Sequence, residues 1–133
     1  MEREIILAVA AAAFFLSCGG SSNKGTIKSI YSYDEFTTVL ENADSRLLAF
    51  DMYANWCHPC KILTPQLELI AKEHKNKVDF YKVNIDNNRK IASVFQTRNI
   101  PHVVFVKNKQ MVDQVIGVES AEVYINIINK HGE

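Results

Sequence analysis

The chain has 133 residues, of which 47% are hydrophobic, and its 15 basic and 15 acidic side chains give a formal charge of zero. That length fits one domain with its own hydrophobic core, and the absence of a basic excess argues against nucleic-acid binding. The 10% of aromatic residues, with only five Gly and three Pro, exclude a disordered or fibrous chain.

An apolar segment near the N-terminus predicts that the chain is exported. Residues 5–16 are all apolar, which is the length of a signal-peptide core and too short for a membrane-spanning helix. Cys18 follows where bacterial lipoproteins carry their lipidated cysteine, so the segment resembles a lipoprotein signal. We expect residues 1–17 to be the signal peptide, residues 18–25 a polar tether and residues 26–133 the folded domain. The protein is then periplasmic and attached to an envelope membrane only by its lipid.

Two other interpretations of this segment stay open. Leu16 lies one place later than in the usual lipoprotein signal, so cleavage after Gly19 or Gly20 would release a soluble exported protein. The apolar run could also be an ordinary buried helix. Removal of residues 1–17 takes away one Arg and two Glu, which leaves a mature charge of 14 − 13 = +1 and indicates no class of partner.

After the tether, strand and helix patterns alternate as in a mixed α/β chain. Ser32 and Glu35 have the spacing of a helix capping box, and residues 47–53 are mostly apolar, as in a strand buried on both faces. The predicted elements are an edge strand over 25–30, a helix from Ser32 to about Asn42, a strand over 47–53, a helix over 61–74 that Pro65 should kink, a strand over 78–84, a helix over 88–95, and strands over 103–106 and 111–116 joined by a hairpin-like turn.

The last predicted element carries two competing patterns. Val123, Ile125 and Ile127 alternate as in a strand. Ser120 is instead placed to cap a helix, with Glu122 early and Lys130 late, as the helix dipole prefers. These end signals favour a final helix.

The most informative motif is a pair of cysteines at the junction of a strand and a helix. Cys57 and Cys60 are three residues apart, so they can close a small disulfide ring when Cys60 lies in the first helical turn. The free N–H groups and dipole of the helix then stabilise a thiolate on Cys57. A free thiol titrates near 8.5, and a drop of two units favours the thiolate by about 2.7 kcal/mol. We therefore expect Cys57 to be the exposed nucleophile and Cys60 the shielded resolving thiol.

Other uses of this cysteine pair have weaker support. A structural zinc site needs four ligands, and no histidine pair with the usual spacing accompanies the cysteines; the histidines present are His58, His74, His102 and His131. A c-type haem site needs His after the second cysteine, where Lys61 stands. A purely structural disulfide, which an oxidising compartment would permit, stays open.

These residues carry a resemblance to a known family. Residues 56–61, Trp-Cys-His-Pro-Cys-Lys, resemble the active-site motif of the thioredoxin family, with His58 where cytosolic thioredoxins carry Gly. The likeness covers about residues 27–130. It implies the α/β thioredoxin fold, in which a central mixed β-sheet is flanked by helices on both faces. It also implies thiol–disulfide exchange on protein substrates without a metal or organic cofactor.

The resemblance assigns roles to residues outside the motif. Asp51 matches the buried acid that helps to deprotonate the resolving thiol, and Lys82 matches its lysine neighbour, so both count as catalytic. The bond between Ile100 and Pro101 matches the family's cis-proline peptide, and Gly117 matches a glycine of the same groove. Substrate backbone would be bound, much as an added strand, by Trp56, Ile100, Pro101 and Gly117.

The two residues between the cysteines leave the direction of electron flow open. His58 can stabilise a thiolate on Cys57, which would make the protein more oxidising, whereas Pro59 is the thioredoxin-like choice and favours a reductant. We expect an intermediate potential, above about −270 mV, a membrane redox partner that resets the pair, and a monomer. A non-catalytic binding module with a structural disulfide is the alternative function.

Overall fold

The computed structural model describes residues 27–132. The predicted signal peptide, the lipidation of Cys18 and the tether lie outside these residues and stay predictions. Within residues 27–132, every helix is too short or too polar to cross a membrane.

Five strands form one mixed sheet in the order β1-β3-β2-β4-β5. The strands are β1 (Ile27–Ile30), β2 (Leu47–Tyr53), β3 (Val78–Asn84), β4 (His102–Lys107) and β5 (Gln110–Ile116). Strand β3 pairs in parallel with β1 and β2, whereas β4 is antiparallel to both β2 and β5. The predicted mixed sheet is confirmed, and β1 lies at its edge as expected.

Within the described residues, four helices cover the two faces of this sheet. They are α1 (Tyr33–Asn42), α2 (His58–Glu73), α3 (Arg89–Val94) and α4 (Ala121–His131). Leu47 and Ala49 of β2 join a core cluster with side chains of α2 and α4. Phe50 and Met52 join a second cluster with side chains of α1 and α3. Because side chains alternate along a strand, Asp51 points to the same face as Ala49, toward α2 and α4.

Local sequence explains where the first two helices begin. The N–H of Glu35 donates to Ser32 Oγ at 3.1 Å, which confirms the Ser32 half of the capping box. The Glu35 carboxylate accepts the N–H of Tyr31 at 2.7 Å, one residue before the expected N–H of Ser32. Helix α2 begins at His58, three residues earlier than predicted, because Cys57 is its N-cap and Pro59 lies in its first turn. This earlier start puts Cys60 in the first helical turn.

The hairpin between β4 and β5 and the helix α4 form as predicted, but the sequence signals used to predict them do not explain them fully. The hairpin between β4 and β5 has Asn108 at φ 53° and Lys109 at φ 64°, so a lysine adopts the left-handed conformation that normally favours glycine. Helix α4 confirms the predicted final helix, with Ser120 at its N-cap. The Ser120 side chain makes no capping hydrogen bond, however, so burial of Tyr124 and Ile128 in the core explains the helix better than its cap does.

Candidate active site

The two cysteines lie where β2 ends and α2 begins. They are joined by a disulfide, with their Cα atoms 5.3 Å apart. Cys57 is the N-cap of α2, and its Sγ accepts a hydrogen bond from the backbone N–H of Cys60 at 3.2 Å. The sulfur of Cys57 therefore occupies the end of the helix at which negative charge is stabilised.

The exposure of the two cysteines corrects the sequence-based prediction. Cys57 was expected to be exposed and Cys60 shielded, but their exposed fractions are 3% and 4%. Both pack in one small cluster with Ala54, against Tyr53, Ile85 and Ile100. This apolar surround covers the whole disulfide, so exposure does not distinguish the two cysteines in the oxidised protein.

Asp51 is a buried carboxylate on the face of the sheet that α2 covers. It is 4% exposed, and within residues 27–132 its Oδ1 has no hydrogen-bond partner. Burial raises the pKa of Asp51 from 3.8 to about 7, and the nearby charge of Lys82 opposes that rise. A carboxyl group with this pKa exists in both protonation states near neutral pH, as a proton carrier must.

Lys82 is a charged neighbour of Asp51 rather than a contact partner. The two residues are paired in the parallel register of β2 and β3. Among the described residues, the ion pairs within 4.0 Å do not include Lys82. Its Nζ lies 6.0 Å from the centre of the Tyr53 ring, and the side chain is half-buried. Lys82 therefore acts on Asp51 through the field of its charge and not through an ion pair.

The loop before β4 brings the predicted groove residues to the disulfide. The peptide bond between Ile100 and Pro101 is cis, as the resemblance implied, and Ile100 packs on the cysteine cluster. The Gly117 N–H donates to the carbonyl of Pro101 at 2.8 Å. Gly117 has φ 86° with open space where a Cβ would be, so its backbone conformation, and not crowding, favours glycine there.

Trp56 lies next to Cys57 in the chain and is mostly exposed. It is 69% exposed, and its indole N–H donates to the Asp86 carboxylate at 2.9 Å. Sequence reasoning assigned no role to Asp86. The signal was its position just after β3, because the carboxyl ends of the parallel strands β2 and β3 meet at one edge of the sheet. His58 and Pro59 are both exposed beside the cysteines.

His102 lies directly after Pro101 and is buried, with hydrogen bonds to two other side chains. It is 2% exposed, with Nδ1 2.9 Å from Thr97 Oγ1 and Nε2 2.8 Å from Gln114 Oε1. Sequence reasoning expected packing at this position but did not find these partners. Among residues 27–132, no three His, Cys, Asp or Glu side chains are grouped so as to hold a metal ion.

Comparison with known proteins places this geometry in a family. The family model Thioredoxin matches residues 28–130. The thioredoxin of Haemophilus influenzae is 36% identical over 97 residues, which cover 73% of this chain and 90% of that protein. The thioredoxin of Chlamydia pneumoniae is 40% identical over 95 residues, which cover 68% of this chain and 92% of that protein. The solved structure of a thioredoxin from Malassezia sympodialis matches with a TM-score of 0.75 at 34% identity, covering 83% of this chain and 94% of that one.

The chain belongs to the thioredoxin family. Family membership and the Cys57–Cys60 disulfide together make it a protein-disulfide oxidoreductase. Its substrates are the disulfides and thiols of other proteins. The fold expected from the resemblance is confirmed, and the match over residues 28–130 agrees with the expected extent of the likeness.

Proposed function

We propose that this thioredoxin acts on proteins of the cell envelope, with Cys57 as the attacking thiol and Cys60 as the resolving thiol. The observation that carries this assignment is the hydrogen bond from the Cys60 N–H to Cys57 Sγ at the start of α2. Once the disulfide is reduced, that N–H and the helix dipole favour a thiolate on Cys57. Cys60 lies inside the first turn and lacks the N-cap position.

Reduction of a substrate then takes two exchange steps. The Cys57 thiolate attacks one sulfur of the substrate disulfide, whose other sulfur leaves as a thiolate and takes a proton from water. Cys60 gives its proton to the Asp51 carboxylate and attacks Cys57 Sγ, which releases the second substrate sulfur. Two electrons have passed to the substrate, and Cys57 and Cys60 are again joined by a disulfide. The reverse sequence oxidises a substrate dithiol.

The burial of Asp51 supports its role as the proton acceptor for Cys60. A pKa of about 7 lets the carboxylate take a proton and lose it again at neutral pH. Lys82 limits the rise of that pKa and so keeps part of the Asp51 population ionised. Both residues therefore act on the second exchange step rather than on the first attack.

Trapping the mixed disulfide tests the assignment of the two thiols. Cys60→Ser should accumulate a covalent adduct with a disulfide-containing substrate, because its Cys57 attacks and no second thiol resolves. Cys57→Ser is the matched control, and it should form little adduct and lose insulin reduction with dithiothreitol. Equal adduct formation by both variants would refute the assignment. Insulin reduction by Cys57→Ser at the wild-type rate would instead favour a binding module with a structural disulfide.

Residues 1–18 support the proposed location in the envelope, with a signal peptide ending at residue 17 and a lipid on Cys18. Expression of the full chain in bacteria with radiolabelled fatty acid should label the membrane fraction of the wild type. Cys18→Ser should lose the label, and its signal peptide should stay uncleaved. An unlabelled soluble periplasmic product of the wild type would favour cleavage after Gly19 or Gly20.

His58 supports an intermediate redox potential, between a reductant and an oxidase or isomerase. His58 is exposed beside Cys57, where its imidazole can stabilise the thiolate and therefore the reduced state. We expect a midpoint potential above about −270 mV in defined thiol–disulfide buffers. His58→Gly should lower it, and an unchanged value would remove this explanation. The class of membrane redox partner follows from the measured value.

A further inference from the structure

A groove lies beside the buried disulfide, and neither cysteine lines it. It has a volume of about 560 Å³ and lies between the end of β3, helix α3 and the segment that leads to Pro101. The residues that bear on its use are Ile85, Asp86, Arg89, Thr97 and Arg98.

The groove adjoins the reacting disulfide at one end and the cis-proline loop at the other. Ile85 lines it and also packs against the cluster of Cys57 and Cys60. Asp86 lines it and accepts the indole N–H of Trp56. At the other end, Arg98 is two residues from the cis peptide of Ile100. A substrate chain with its cysteine at Cys57 therefore has neighbouring residues within reach of the groove.

Two free guanidinium groups set the charge of the groove. Arg89 and Arg98 are both exposed, and neither guanidinium group takes part in a hydrogen bond or ion pair within residues 27–132. Asp86 is the acidic residue of the lining, so the formal charge of the lining is 2 − 1 = +1. The Asp86 carboxylate is already a hydrogen-bond acceptor for Trp56, whereas both arginines have their full donor capacity available.

We propose that this groove binds acidic side chains that flank the reacting cysteine of a substrate protein. The planar guanidinium fork matches a carboxylate and can bind it through two hydrogen bonds. The oxidoreductase would accordingly select, among accessible disulfides, those with Asp or Glu a few residues away. This inference rests on the proposed function, because it concerns substrates attacked by Cys57.

The preference for acidic substrates should be modest, because both arginines are exposed. Exposed ion pairs are individually weak and are screened by salt. Two of them should favour an acidic over a basic substrate by about threefold to tenfold in kcat/KM. The effect should lie mainly in KM, because the arginines bind the substrate flank and not the reacting sulfurs. It should shrink as ionic strength rises.

Three matched peptides test the proposal on the full chain. Each contains the same disulfide, with two Glu, two Lys or two Ser at the flanking positions. The wild type should reduce the Glu peptide fastest at low ionic strength. The double variant Arg89→Glu with Arg98→Glu should lose or reverse this order. The double variant Lys28→Glu with Lys75→Glu makes the same charge change at exposed residues outside the groove, and it should keep the wild-type order.

Fluorescence separates failure of this inference from failure of the proposed function. Trp56 is the only tryptophan of the chain and is bonded to a groove residue, so its emission reports binding. Titration with the same peptides carrying Ser for Cys gives affinities without any exchange. Preference for the Glu peptide without turnover of any peptide would refute the proposed catalysis and support the groove. Equal affinities and equal kcat/KM for all three peptides would overturn the groove proposal alone, as would an order that the groove variant leaves unchanged.

Discussion

Two buried polar side chains on neighbouring strands of the sheet have opposite environments. Asp51 on β2 points toward α2 and α4, and one of its oxygens lacks a partner among the described residues. His102 on β4 lies on the opposite face, and both of its ring nitrogens are hydrogen-bonded. They are close in the sheet, because His102 is the register partner of Met52, the residue after Asp51.

The difference agrees with the proposed role of Asp51 as the proton acceptor for Cys60. A buried polar group without a partner costs stability, so it persists where another property requires it. In the proposed mechanism, that property of Asp51 is a pKa near neutrality. His102 is a satisfied group that ties the segment at Thr97 to strand β5 through Gln114. Substitution at these two positions should therefore change stability in opposite directions.

The largest expected effect is stabilisation by Asp51→Asn. The pKa of Asp51 is about 7 in the folded protein and near 3.8 when unfolded, so the folded state binds the proton more tightly. The free energy of unfolding should fall as pH rises from about 4 to 7, by at most about 4 kcal/mol. Asp51→Asn should remove this fall, so urea unfolding should find it more stable than the wild type above pH 7.

The control for this effect is acidic pH, where the Asp51 carboxyl is protonated in both states. Below the unfolded pKa of 3.8, wild type and Asp51→Asn should have similar free energies of unfolding. Asp51→Asn should also slow the second exchange step, because it cannot take the Cys60 proton. A variant that kept the pH dependence of the wild type would show that another group is responsible for it.

The next largest expected effect is a loss of stability in His102→Ala. This variant leaves Thr97 Oγ1 and Gln114 Oε1 without their partner and creates a cavity. We expect a loss of about 2–3 kcal/mol in the free energy of unfolding, measured in urea. Gln114→Ala is the matched control, since Gln114 is exposed, and it should cost about 1 kcal/mol. Stabilisation by His102→Ala would contradict the contrast with Asp51.

The fold was largely predictable because its signals are local. A mostly apolar run gave β2, alternating apolar residues gave β3, and the Ser32 cap gave the start of α1. The hairpin was predictable from its length, although Lys109 takes a conformation that favours glycine. The end signals gave α4, yet Ser120 makes no side-chain capping bond and core packing fixes that helix. The predicted start of α2 was three residues too late, because Cys57 is the N-cap of that helix as well as a reactive thiol.

From the residue pattern alone, the active site was predictable only where its residues are close in sequence. Cys57 and Cys60 form a contiguous motif, whereas Asp51 and Lys82 were found by family resemblance. The contact of Trp56 with Asp86 spans 30 residues, and no local pattern indicates it. The burial of both cysteines depends on Ile85 and Ile100, which are distant along the chain. The partners of His102 and the charge of the groove likewise arise from packing between elements.

The smallest expected effect is the change that removal of the Lys82 charge makes in the pKa of Asp51. The Lys82 charge lowers the pKa of Asp51, so Lys82→Met should raise it and move the pH dependence of stability toward alkaline values. The shift should be below about one unit, because solvent and salt screen a half-exposed charge. Carboxyl NMR titration of the oxidised protein measures it, and Lys82→Arg should keep the wild-type midpoint. If Lys82→Met left that midpoint unchanged, Lys82 would serve only its contact with the Tyr53 ring, and burial alone would set the pKa of Asp51.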